Sequence, residues 1–211
     1  MHFHFVISNA ELLFRRRTFD IEPAVFELLI EMARNPQTIK AWRSQVSDAF
    51  ADNRFFNASP SIHLKWSPLI QALMASDKER LVELTGTSCF EALLSECTDS
   101  PSLITAKISS VSSANIFTNR ELESLSRALS LRRLTYTIFT GERNRFLTQL
   151  PIIQEKLVDL LRSSVGDMVH AEVYLCLRVL FCRVDNHHLA GLWPVILTEL
   201  VSSRVSVWRV S

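Results

Sequence analysis

Between Asn119 and Leu200, apolar side chains return at helical spacing in three or four successive segments, separated only by short polar joints. Leu122, Leu125 and Leu129 share one face, whereas Leu131, Leu134 and Ile138 fall roughly opposite at about 100° per residue. The spacing predicts a helix opening at Asn119 as N-cap and closing at Gly141, either covered on two sides or broken near Ser130. Pro151 then starts a helix whose face is Ile153, Leu157, Leu160 and Leu161, with Glu155, Lys156, Asp159 and Arg162 largely off it. Asp167 can cap a third, running through Val169, Val173, Tyr174, Leu175, Cys176, Leu177, Val179, Leu180 and Phe181. It is apolar almost all round, which predicts neighbours on every side. Asp185-Asn186 caps a fourth carrying Leu189, Leu192, Trp193, Ile196, Leu197 and Leu200, bent by Pro194.

The first half repeats the pattern. Pro23 takes an N1-like position in a helix from Glu22 to Arg34, with Val25, Phe26, Leu29, Ile30 and Ala33 on its face. Asn35-Pro36 ends it, and the next helix carries Ile39, Trp42, Val46, Ala49 and Phe50. After a joint at Asp52 to Phe56, Ser59-Pro60 opens a helix through Ile62, Trp66, Leu69, Ile70 and Leu73, in which Pro68 predicts a kink or restart near Ser67. Ser76-Asp77 caps a short helix that Gly86 closes. From Thr85 to Ser113 serine and threonine crowd together without a sustained period, as in a flexible loop. Met1 to Arg17 reads as a helix entering from upstream or as a frayed terminus, and SSRVSVWRVS at the other end alternates like a strand.

Helix on helix with short joints predicts an all-α fold of antiparallel pairs stacked as a HEAT- or armadillo-like α-solenoid. Its parts are an N-terminal helical portion (1–84), a Ser-rich insertion (85–118), a C-terminal helical portion (119–201) continuing the same solenoid, and a tail (202–211). Composition agrees. Of 211 residues 47% are hydrophobic and 21% charged, enough for a sizeable core. Only four are glycine, which tight β-turns and phosphate-cradling loops consume. A net charge of +1 argues against a bulk nucleic-acid binder. No window holds the roughly eighteen apolar residues of a membrane span. The opening residues lack the pattern of a secretory leader, so Cys89, Cys97, Cys176 and Cys182 are expected as cytosolic thiols.

Candidate chemistry is sparse. His170, Cys176, Cys182 and His187 invite a zinc reading, but six residues along a helix turn a side chain by about 240°, so neighbours in that series face apart. Two core cysteines and solvent-facing His187 and His188 fit better. No G-x-S-x-G elbow, P-loop or dinucleotide fingerprint occurs, and Glu121 and Glu123 suit the first turn of a helix without acid–base work. The expectation is therefore no enzyme, no cofactor, no metal and no small-molecule substrate. One feature points to binding. Arg120, Arg127, Arg132, Arg133, Arg143 and Arg145 outnumber Glu121, Glu123 and Glu142 along one helix and its exit loop. That excess fits either an anionic membrane surface, at about 1 kcal/mol per basic group, or an ordinary solvated helix face. Trp42, Trp66 and Trp193 lie on apolar stripes and read as core.

Several blocks in order resemble the C-terminal region of the Dopey proteins: TIKAWRSQVSDAFADNRFF, HLKWSPLIQALMASDK, SSANIFTNRELESLSRALSLRRLTYTIFTGE, LPIIQEKLVDLLR and VHAEVYLCLRVLFCRVDNHHLAGLWPVILTEL. The last, with Phe181-Cys182-Arg183 and Leu192-Trp193-Pro194, is the most specific. The resemblance implies a non-enzymatic α-solenoid scaffold, peripheral on the cytosolic face of Golgi and endosome membranes, acting in vesicle-mediated protein transport. It implies a large Mon2-like scaffold and a phospholipid flippase as partners, and a phosphoinositide-binding module as the rival reading. Around Thr85 to Leu103 the chain departs from the family's blocks, as it does after Val201, and a long upstream portion has no counterpart. It is expected to be a fragment, a truncated product or an imperfect gene model.

Overall fold

Proline stands in the first turn of several of the long helices. The computed structural model describes residues 19–75, 113–163 and 166–208, and α1 (Pro23–Arg34), α3 (Pro60–Ala75) and α5 (Leu150–Arg162) each carry proline in the first turn. There a missing N–H costs nothing, because the first four amides of a helix have no partner within it. The other helices are α2 (Ile39–Ala51), α4 (Ser113–Thr140), α6 (Asp167–Arg183), the single turn α7 (Asn186–Leu189) and α8 (Trp193–Trp208). Every regular element among the described residues is helical. The chain divides into two compact units, Met1–Gly86 and Thr87–Ser211.

In the first unit α1 packs on both α2 and α3, which also pack on each other. The buried face of α1 is Phe26, Leu29 and Met32, so the stripe is rotated toward Met32 from the one the letters suggest, with Val25, Ile30 and Ala33 at its half-buried margin. Trp42, Val46, Ala49 and Phe50 of α2 face inward as expected. Thr38, in the short 3-10 turn Pro36–Thr38, donates its hydroxyl to the carbonyls of Met32 and Asn35, satisfying the end of α1. The joint after α2 is more than a spacer. Phe55 is fully buried, with its ring 5.3 Å from Phe19, 5.4 Å from Phe50 and 5.5 Å from Trp66, all edge-to-face. Such pairs add about 0.5–1.5 kcal/mol each beyond burial. Trp66 Nε1 donates to the Phe19 carbonyl at 2.8 Å, whereas the Nε1 of Trp42, the other fully buried tryptophan, has no hydrogen-bond partner among the described residues. Pro68 neither breaks nor restarts α3. It lies on the exposed face, where water can take the bond its ring denies the carbonyl four residues earlier.

In the second unit α4 and α6 form the principal interface, α5 packs on α6, and α8 packs on α5. Leu131, Leu134 and Ile138 meet Val173, Cys176, Leu177 and Leu180, while Ile153, Leu157, Leu160 and Leu161 complete the core with Leu189, Leu192 and Ile196. Each fully buried aliphatic side chain contributes about 1.5–3 kcal/mol. α4 runs unbroken through Ser130 and begins at Ser113, so Asn119 is an interior residue and not its N-cap. Of the two faces read from the letters, Leu131, Leu134 and Ile138 are buried; on the other, Leu129 is buried and Leu122 and Leu125 are exposed. Gly141 follows the last residue of α4 where a side chain would be crowded: a Cβ would lie 2.8 Å from the Phe146 ring.

Other expectations are corrected here. Gly166, at φ 99°, is the N-cap of α6, and Asp167 is its first residue, favourable to the helix dipole without capping. Leu175 and Met168 are exposed, so α6 is not enclosed on every side, and Cys182 is exposed although Cys176 is fully buried. Pro194 does not bend a continuous helix: α7 stops at Leu189, and α8 starts at Trp193 with proline in its first turn. The backbone of 202–208 is helical, not strand-like. The Met1–Arg17 helix, the short helix after Ser76, the loop from Thr85 to Ser112, Cys89 and Cys97 lie outside the described residues.

Candidate functional site

The arginines of α4 and its exit loop do not converge. Arg127 Nη2 pairs with Glu123 Oε1 at 2.5 Å, one turn back on the same helix. Arg132 lies five residues on, about 140° round the helix, and reaches α6 instead. There its Nε donates to Glu172 Oε1 at 2.9 Å, and Nη2 donates to the same oxygen. Arg133 is buried. The side chain of Arg120 lies outside the described ones. In the loop after α4, Arg143 Nη2 meets Asp185 Oδ1 at 2.8 Å, and the Arg145 guanidinium stands 5.9 Å from the Phe146 ring centroid.

That loop is tied to the joint after α6 by a reciprocal clasp. Asn144, in the left-handed region at φ 62°, donates from Nδ2 to Asp185 Oδ2 at 2.5 Å and accepts the Asp185 N–H on Oδ1 at 2.9 Å. Its own N–H donates to the Arg183 carbonyl at 3.0 Å. Asparagine tolerates this backbone better than most residues because its short polar side chain bonds locally. The bond from Asn144, and secondarily the nearby charges of Arg143 and His187, hold the Asp185 carboxyl below its ordinary range. Asp185 thus occupies the N-cap position of α7 without capping it, because its side chain is spent on the loop.

Where α4 crosses α6 the contact is polar as well as apolar. Glu172 is 4% exposed, takes Arg132 on one oxygen and has no hydrogen-bond partner for Oε2 among the described residues. One turn along, burial pushes the Cys176 thiol up to about 11, which keeps it protonated and unreactive at neutral pH. Burial also raises the Tyr136 phenol. His170 Nε2 lies 3.2 Å from the Leu160 carbonyl and 3.1 Å from that of Ser163, so this nitrogen carries the proton and ties α6 to the end of α5. His187 and His188 are exposed, beside each other. Among the described residues, no three His, Cys, Asp or Glu side chains come together in a way that could hold a metal ion. No helix there is long and apolar enough to cross a membrane.

Two features escaped the sequence. Glu172 and Arg132 are 40 residues apart, and nothing local in either segment marks them as a pair. Phe181 and Trp193 stack face to face, their centroids 4.4 Å apart and their planes within 1°. Beyond that stack Trp193, Leu197 and Val201 are all exposed on α8. The signal was available: the apolar arc of this helix is wider than one neighbour can cover.

Residues 4–209 match the family described as DOP1 C-terminal. The chain is similar to Protein DOP1 homolog of Drosophila melanogaster, 33% identical over 175 residues, which is 82% of this chain and 6% of that protein. It is similar to Protein pad-1 of Caenorhabditis elegans, 31% identical over 83% of this chain and 6% of the relative. With Protein DOP1B of Mus musculus it shares 26% identity over 86% of its length and 7% of the relative's. The chain therefore spans only a small part of the curated relatives it matches. No solved structure matches it.

Proposed function

The chain belongs to the DOP1, or Dopey, family, and from that premise we propose that it works as a non-enzymatic helical scaffold module of a Dopey-like protein in Golgi and endosome-to-Golgi vesicle transport. The match from residue 4 to 209 carries the reading. The physical character of the chain supports it. The interiors of both units are filled by apolar side chains, and between α4 and α6 Glu172 is buried and takes Arg132 while the Cys176 thiol is buried and protonated. Stacked helices with short joints are how α-solenoids build extended surfaces, and we assign the helices within each unit to stacking of that kind. The partners proposed are a Mon2-like scaffold and a phospholipid flippase, held on the cytosolic face of the membrane.

The complete polypeptide that carries this region, fluorescently tagged, is expected to mark juxtanuclear Golgi and endosomal puncta and to lose them when residues 19–208 are deleted. A diffuse or nuclear pattern of the intact protein contradicts the reading. The rival, direct phosphoinositide binding by the arginine-rich helix, is disfavoured because Arg127, Arg132 and Arg143 already hold carboxylates of their own unit. Flotation with phosphoinositide vesicles separates the two, since Arg143→Glu with Arg145→Glu abolishes it only under the rival.

A further inference from the structure

We draw no further inference here: the strongest candidate, the surface patch of exposed Phe139 on α4 and exposed Leu175 on α6 with the Arg183 guanidinium 5.1 Å from the Phe139 ring centroid, is an apolar face of two packed helices, and nothing in the structure shows what covers it.

Discussion

Arg132→Met removes the one cation that engages the buried Glu172 carboxylate among the described residues, and the consequence follows from the geometry. Breaking a fully buried pair costs about 3–5 kcal/mol because an uncompensated charge remains inside. Here the Arg132 side chain is 41% exposed and that of Glu172 6%, so solvent already screens one partner and the expected cost falls to about 2–3 kcal/mol. Glu172→Met in the same background removes the stranded charge as well, and the double variant is expected within about 1 kcal/mol of wild type. Hydrogen exchange read by mass spectrometry localises the effect. At about 1.4 kcal/mol per tenfold, amides of α4 and α6 that exchange by opening of that interface should speed up by roughly 30- to 150-fold in the single variant. In the double variant they should return close to wild type, while α1 to α3 in the other unit stay unchanged. Protection within threefold of wild type in Arg132→Met, or a double variant less protected than the single, would refute the reasoning.

Three further outcomes are expected. Gly141→Ala brings a Cβ to 2.8 Å from the Phe146 ring and should destabilise the second unit by about 1–3 kcal/mol in urea unfolding; Phe146→Leu should recover most of it. With Cys89 and Cys97 replaced by serine, a thiol reagent at pH 8 should label exposed Cys182 rapidly. Buried Cys176, its thiol pushed up to about 11, should react only on unfolding. Asn144→Ala should raise the Asp185 titration, followed by NMR, toward the ordinary aspartate value, since Asn144 is the largest cause of its depression. A carboxyl depressed in the folded state adds stability above its unfolded pKa and loses it as pH falls through the folded one. The wild type should therefore lose the clasp's contribution on acidification, and the variant should show little change over that window.

What the letters disclosed and what they hid divides along physical lines. Pro23, Pro60 and Pro151 announce helix starts because proline's constraints are local, and the faces of α2 and α5 were legible because each has one buried side. The start of α4 at Ser113 was hidden by serines that favour turns in isolation. The last turns of α8 were misread because Val205, Val207 and Trp208 also suit a strand, and short apolar runs do not separate the two by period. Caps read at Asn119, Asp167 and Asp185 failed for separate reasons. Asn119 is interior, Gly166 with its positive φ takes the cap of α6, and Asn144 claims the Asp185 side chain. The exposure of Cys182 and Leu175 was not legible, because an apolar helix does not reveal which neighbours are present. The arginines were visible as a cluster in sequence, but the carboxylates of Glu172 and Asp185 lie about forty residues away, and only the fold brings them to Arg132 and Arg143.

Recovery of the Mon2-like scaffold and the flippase with the complete polypeptide, quantified with and without residues 19–208, tests the account most directly. Both are expected to co-purify with the intact protein and to fall at least tenfold on deletion, while a form carrying Arg143→Glu and Arg145→Glu retains them. Undiminished recovery after the deletion, or substrate turnover by the purified chain, would contradict it.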